Sequence, residues 1–341
     1  MTLRIDGSQG EGGGQILRTA LSLSMTTGRP IVIERIRARR KRPGLMRQHL
    51  AAVHAARDVC RAEVDGDELG SGTLRFEPRA ARPGSYHFAV GTAGSACLVF
   101  QTVLPALLTA PEASHLTFEG GTHNPLAPPF EFLERVFLPL VSRMGPRVTA
   151  KLERHGFMPA GGGRFAVDVV PCRTLRPLDL LETGEVRARS ARSVISRLPM
   201  HVGERELAVV RARLGWSERE CRIETVDAQG PGNVLLLEVM REPVGALVAG
   251  FGERGVPAEK VAEAAVRELL ADLEAGVPVG AHLADQLLLP MALAGGGTFR
   301  TRPLTMHART NIAVIEAFGI ARIRVEEDRG GVVVRVSGGC G

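Results

Sequence analysis

The feature that most constrains this chain is a repeat. A glycine-rich turn running into an apolar helical pattern occurs three times: GEGGGQILRTALSLS from Gly10, GTAGSACLVFQTVLPALL from Gly91 and GAHLADQLLLPMALAG from Gly280. Each is followed by a strand-like run (residues 30–36, 114–120 and 297–303) and then by a second helical pattern (residues 46–60, 129–144 and 306–318). Strand pairs close the units. The plainest is 321–326 with 331–337, where apolar and polar residues alternate on either side of a turn between Asp328 and Gly331. The spacing predicts an α/β chain of three repeated βαβαββ units, each packing two helices on one face of a sheet. The step from Gly94 to Gly280 is more than twice the step from Gly14 to Gly94. The surplus falls in residues 187–276, which carry helix and strand patterns of their own at 200–214, 234–240 and 257–273. Residues 1–186 and 277–341 are therefore expected to form one large domain, with 187–276 as a smaller α/β insert interrupting the third unit.

The composition is that of a folded chain. With 44% hydrophobic residues over 341 positions there is ample material for a core. The most apolar run, ACLVFQTVLPALL, is broken by Gln101 and Pro105, so no membrane span is expected. Five cysteines (Cys60, Cys97, Cys172, Cys221 and Cys340) lie far apart with no CxxC spacing. That pattern argues for reduced thiols in a cytoplasmic setting and against a structural zinc. A net charge of +6 suits an anionic partner. An assembly of identical copies is compatible with the sequence but not indicated by it.

Chemistry concentrates in a few stretches. In residues 6–24 four glycines, Gly10 and Gly12 to Gly14, lead into a helix, a combination that can wrap backbone N–H groups around an anion. No Lys-Ser/Thr pair follows, and Gln15 stands where a dinucleotide loop has its last glycine, so neither common nucleotide fingerprint is met. Glu11 cannot bind a phosphate itself and suggests a metal between loop and ligand. Arg18, one turn into the helix, can either snorkel to the surface or clamp an anion held by the loop. Residues 35–49 hold Arg35, Arg37, Arg39, Arg40, Lys41, Arg42 and Arg47 around the Pro43–Gly44 turn, a candidate phosphate-backbone groove. Aromatic residues are only 4% of the chain, which disfavours base stacking on several aromatic platforms. Asn124 sits between a strand and a helix, where a turn or cap role is also open. Asp285 and Gln286 interrupt an apolar helix and are either buried and paired or lining a site. His307 begins the last helical pattern with Asn311 one turn on, and a neutral imidazole is a competent nucleophile toward activated phosphorus.

Seven motifs stand in order from residue 6 to residue 314: DGSQGEGGGQILR, KRPGLMRQHL, GGTHNPLAPP, RHGFMPAGGG, QGPGN, LADQLLLPMALAG and HARTNIAV. Together they resemble the RNA 3′-terminal phosphate cyclase family over essentially the whole chain. The resemblance implies three βαβαββ units with a smaller insert. It also implies an ATP-dependent reaction, with a divalent metal (Mg or Mn), that converts an RNA 3′-phosphate to a 2′,3′-cyclic phosphate. His307 then corresponds to the nucleophile that accepts AMP, and Glu11 to the metal ligand. Gln101 and the segment His282, Leu283, Ala284, Asp285 and Gln286 correspond to ATP-contacting positions. Arg18, Arg37, Arg40, Gln48 and His49 correspond to the polar cluster near the phosphates, and Asn124 belongs with the nucleotide-binding set. His282 stands where a tyrosine is expected, which puts adenine stacking there in question.

Two other readings are open. The family includes ribosome-biogenesis relatives that are not cyclases; these lack the histidine nucleophile, and His307 in its motif counts against that role. The fold is also similar to that of enolpyruvyl transferases, which need a lysine in the first glycine loop, and DGSQGEGGGQ has none.

Overall fold

The computed structural model describes residues 2–339 and has the expected α/β class. Three of its four sheets share one strand order. The first runs Leu3–Asp6, Ile31–Glu34, Leu74–Glu77, Glu63–Asp65; the second Ser85–Ala89, Ser114–Gly120, Gly163–Val170, Arg147–Arg154; the third Leu178–Leu180, Gly296–Thr301, Gly331–Gly338, Ala321–Asp328. In each, the first pair is parallel and the next two are antiparallel. A parallel pair needs a crossover, and helices Gly14–Thr27, Ala96–Leu107 and Ala281–Leu293 lie in the three crossovers. Each of these helices starts directly after a glycine-bearing turn, so three helix N-termini and their turns are brought to comparable ends of three sheets.

After the parallel pair of each of these sheets comes a second helix: Arg47–Cys60, then a segment running from Phe130 to Arg143, then Met306–Phe318. The middle one is not a single α-helix. A π-helical turn, Leu133–Phe137, divides Phe130–Phe132 from Leu138–Arg143. Pro139 has no N–H to give the carbonyl of Arg135, which accounts for the local widening. Helix Gly14–Thr27 packs on Arg47–Cys60, Ala96–Leu107 and Met306–Phe318, so helices joined to three of the sheets meet in one core. Phe100, Phe118, Phe130 and Phe165 form its aromatic centre, with Phe118 and Phe165 stacked at 5.0 Å.

The chain from Val186 to Glu274 builds the fourth sheet, in the order Cys221–Thr225, Val186–Ser196, Gly232–Arg241, Ala246–Phe251, with helices His201–Leu214 and Ala258–Glu274. None of its strands enters the other three sheets; an isolated bridge between His155 and Ala228 is the only backbone pairing across, among the described residues. The central strand Gly232–Arg241 is covered on both sides. Leu235, Leu237 and Val239 pack on Ala262, Val266 and Leu269, whereas Val234 and Leu236 join the main core. Burial on both faces explains why NVLLLEVM reads as a continuous apolar run. No helix of the described residues is long and apolar enough to cross a membrane.

Candidate active site

The first glycine loop is shaped by the last helix. Gly10 adopts φ +53°, and a Cβ there would lie 2.2 Å from the Thr310 hydroxyl. That hydroxyl accepts the Glu11 N–H at 3.1 Å and donates to the Met306 carbonyl at 2.7 Å. The loop is thus pinned to helix Met306–Phe318, whose N-cap, Thr305, accepts the Ala308 N–H at 3.1 Å. The Glu11 side chain folds back over Gly13, where a Cβ would lie 2.6 Å from its Oε1. It ion-pairs with Arg40, and its Oε2 lies 3.1 Å from His307 Nδ1. That oxygen is buried and accepts no hydrogen bond. His307 Nε2 is left as the ring nitrogen turned from the loop, on a side chain 54% exposed. Burial lowers the imidazole pKa below 6.5; Asp285 opposes this, and Arg18, His282 and Arg40 add to it. The neutral, nucleophilic form is therefore favoured at pH 7.

Helix Ala281–Leu293 presents one stripe to the same space. His282, Asp285, Gln286 and Leu289 line the cavity, at the i, i+3, i+4, i+7 spacing of a helix face. Leu283 and Ala284, expected among the nucleotide contacts, point the other way and are 3% and 1% exposed in the main core. A contiguous segment cannot line a site from a helix; only one face can. Asp285 is held by Asn311, whose Nδ2 donates to its carbonyl at 2.9 Å and its Oδ1 at 3.0 Å. Asn311 Oδ1 accepts the Thr19 hydroxyl at 2.8 Å, Gln15 Nε2 reaches Thr19 at 3.3 Å, and Arg18 Nη2 donates to Gln15 Oε1 at 2.9 Å. This chain ties three helices together beneath His307. Burial raises the Asp285 pKa above its usual value, against the pull of His307, Asn311 and Arg18. Burial also lowers Arg18 to about 10, with Asp285 opposing.

The remaining expected residues close the cavity. Arg37 (φ 55° neighbour Arg35, its own φ 53°) is a brace of the basic loop, donating to the Arg42 carbonyl at 2.7 Å and the Gly44 carbonyl at 2.8 Å. Arg40 adds a bond to the Glu11 carbonyl at 3.2 Å. His49 Nδ1 accepts the Met46 N–H at 3.1 Å, which puts the ring proton on Nε2; burial, with Arg18 and Arg37 nearby, pushes its pKa down to about 3. Gln48 Oε1 accepts the Ser95 N–H at 3.0 Å, and Gln101 Nε2 donates to Gln286 Oε1 at 2.5 Å. Asn124 donates to the Ala93 carbonyl, tethering the second glycine turn, while its buried Oδ1 has no partner. All of these residues, with Glu11, Arg18, His307 and Asn311, line one cavity of about 1070 Å³. A volume of that size stands at the upper end of the range for small-molecule and cofactor pockets. Its lining is cationic at Arg18, Arg37 and Arg40 and apolar at Leu98, Pro128, Phe132 and Leu289.

A match to the RNA 3′-terminal phosphate cyclase family model covers residues 9–325. The chain belongs to this family. It is 51% identical over 325 residues to the RNA 3′-terminal phosphate cyclase of Koribacter versatilis, covering 95% of this chain and 92% of the relative. The proteins of the same name from Pseudomonas fluorescens and Salmonella enteritidis PT4 are 53% identical over 313 residues and 49% identical over 335 residues. Those alignments cover 92% and 91%, and 98% and 98%, of this chain and of the relative respectively.

For a cyclase-family site, a divalent metal can be tested against these residues. Glu11 Oε2 is a buried carboxylate oxygen on the cavity wall that accepts no hydrogen bond, with His307 Nδ1 its near neighbour at 3.1 Å, and so has a lone pair that a hard cation can take. One protein carboxylate with substrate phosphates completing the shell is a mode that Mg²⁺ uses. The residues fit. A second group, His123, Glu131 and His155, also brings three ligand atoms together. There His123 already hydrogen-bonds Glu131 at 2.7 Å, and the Arg192 guanidinium lies 3.5 Å from the other Glu131 oxygen. That carboxylate is neutralised, and the cluster is a strut between the body and the insert. Sequence reasoning missed Thr19 and Thr310, whose partners lie almost 300 positions away, and Gln15, which supports Thr19 and Arg18 within its own helix. It also missed Glu268 and the strand Ala246–Phe251, the insert's share of the cavity wall.

Proposed function

We propose that this chain uses ATP to convert an RNA 3′-terminal phosphate into a 2′,3′-cyclic phosphate, through AMP carried on His307. The observation that carries the reading is that His307, with Nδ1 3.1 Å from Glu11 Oε2, lines a nucleotide-sized cavity together with Arg18 and Arg40, so that Nε2 is the ring nitrogen free to attack. Nε2 attacks the α-phosphorus of ATP, the N–P bond forms and pyrophosphate leaves. An oxygen of the RNA 3′-phosphate then attacks the same phosphorus, the N–P bond breaks, and the RNA carries a phosphoanhydride to AMP. The adjacent 2′-hydroxyl oxygen closes on the RNA phosphorus, losing its proton, and AMP departs. The last step is intramolecular, so orientation supplies much of its rate. Arg18 and Arg40 offset the negative charge that gathers on the phosphates. Glu11 would hold a divalent metal, which would neutralise phosphate oxygens when bound. Gln101, His282, Asp285, Gln286 and Asn124 bound the nucleotide, and Gln48, His49 and Arg37 its phosphate end.

The basic loop extends from the cavity as a track of exposed Arg39, Lys41 and Arg42, suited to RNA phosphates. We read residues 1–186 and 277–341 as one catalytic domain of three repeated units, with 187–276 inserted; the shared strand order of three sheets supports this. The described cysteines are all free thiols, which suits the reducing cytoplasm. The test is to incubate the protein with ATP, Mg²⁺ and an oligoribonucleotide ending in a 3′-phosphate. The RNA should become lighter by one water and its terminal phosphate resistant to phosphatase. RNA that stays phosphatase-sensitive while ATP is consumed would contradict the proposal.

A further inference from the structure

The insert reaches the nucleotide cavity. Strand Ala246–Phe251 lends Leu247, Ala249 and Phe251 to its wall, and helix Ala258–Glu274 lends Glu268. Glu268 Oε1 lies 3.2 Å from Nε2 of His282, in the first turn of helix Ala281–Leu293. The insert helix is packed into the insert core through Ala265, Val266 and Leu269, which fixes the stretch of backbone that carries Glu268. The imidazole it meets is 73% exposed on the cavity side. An exposed ring paired at one nitrogen with a carboxylate gains a preferred orientation and a stabilised cationic form.

We propose that Glu268 is a positioning residue, through which the insert holds His282 as an imidazolium against the bound nucleotide. The proposal rests on the nucleotide reading of the cavity. It gives the insert a part in the reaction, since the oriented cation attracts a polyphosphate and offers a face to a base. The groups facing His282 are Glu268 and Asp272 on the insert helix, Asp285 on its own helix and His307 across the cavity; Arg302 is turned to Asp272 at 2.6 Å. The pairing with Glu268 is foremost in raising the His282 pKa above 6.5, the loss of water around the ring opposes it, and Asp272 and Asp285 add to it. The pairing favours the charged ring, and the attraction is lost as pH rises through this raised ionisation. Loss of the Glu268 charge moves that decline to lower pH.

The experiment measures binding of the α,β-methylene analogue of ATP, which cannot transfer AMP, to the full chain with Mg²⁺ between pH 6 and 9. Wild-type affinity should fall by about fivefold across this range, the scale of a partly exposed cation–π or ionic contact. Glu268→Gln should shift the fall to lower pH and bind more weakly at pH 7. His282→Phe, aromatic at every pH, should show only the dependence due to the analogue's own phosphates, and adding Glu268→Gln to it should change nothing further. Glu238→Gln cuts a different insert–body ion pair, to Arg135 at 2.8 Å, and should keep the wild-type profile. The proposal is overturned if Glu268→Gln and wild type superimpose, or if Glu268→Gln weakens binding equally in the His282→Phe background. If the wild type does not bind the analogue at any pH, the nucleotide reading fails and this proposal with it.

Discussion

Asn311→Ala should loosen the floor of the site at a cost that the geometry allows to be sized. Asn311 is 2% exposed. Its Nδ2 makes two bonds to Asp285, one to the carboxylate, and its Oδ1 accepts from Thr19. A hydrogen bond to a charged group contributes roughly 1.5–3 kcal/mol, and a buried hydroxyl left without its acceptor costs about 1–3 kcal/mol. Allowing for some relaxation of Thr19 toward Gln15, the loss is about 3 kcal/mol. Asn311→Asp sharpens the argument, because it sets a second carboxylate against the first. Asp285 already has a raised pKa through burial, so its charge is a cost that appears as pH rises through the folded value. A neighbouring carboxylate enlarges that cost, and the Asp variant should be the less stable of the two at pH 8 and recover as pH falls toward 5. Urea unfolding of wild type and both variants at the two pH values provides the assay. Asn311→Ala within about 0.5 kcal/mol of wild type, or an Asp variant that loses stability on acidification relative to wild type, would refute the reasoning.

Other expectations follow from the same site. Arg40→Ala should raise the ATP or RNA-end concentration needed for half-maximal rate by about tenfold or more, the scale of a charge-assisted hydrogen bond, without changing terminal-base preference. A changed base preference at unchanged affinity would speak against a phosphate contact. Glu11→Gln keeps the loop's shape but should slow AMP transfer, with partial recovery as Mg²⁺ is raised; a rate and metal dependence equal to wild type would make Glu11 a loop residue only. Because His307 has a lowered pKa, the single-turnover rate of AMP transfer should climb from pH 5 as the ring deprotonates and level off by about pH 7. A rate still climbing steeply above pH 8 would assign the nucleophile's ionisation to another group.

Much of this site is legible in the sequence because its parts are local. The glycine turns must precede helices, and helices Gly14–Thr27, Ala96–Leu107 and Ala281–Leu293 begin within a few residues of where glycine and the apolar period place them. Strand Ser114–Gly120 and helix Met306–Phe318 have the expected ends. What the sequence does not disclose is face and partner. Leu283 and Ala284 belong to the core because a helix turns 100° per residue, which a contiguous motif hides. Arg37 binds its own loop's carbonyls, a consequence of the positive φ at Arg35 and Arg37 that no residue type announces. The insert strands Val186–Ser196, Cys221–Thr225 and Ala246–Phe251 escaped the pattern, since VRARSARSVIS is exposed at one end and buried on both faces at the other. Asn124 shows the opposite case: its turn role and its cavity role are both present.

The most direct test follows the phosphorus. ATP labelled at the α-phosphate should leave its label on the protein, and ATP labelled at the γ-phosphate should not. The bond should break in acid and survive base, as a phosphoramidate does, and digestion should place AMP on the peptide containing His307. His307→Ala should take no label and cyclise nothing from ATP, yet still cyclise RNA supplied already adenylylated at its 3′-phosphate. Robust labelling of His307→Ala from α-labelled ATP would contradict the account.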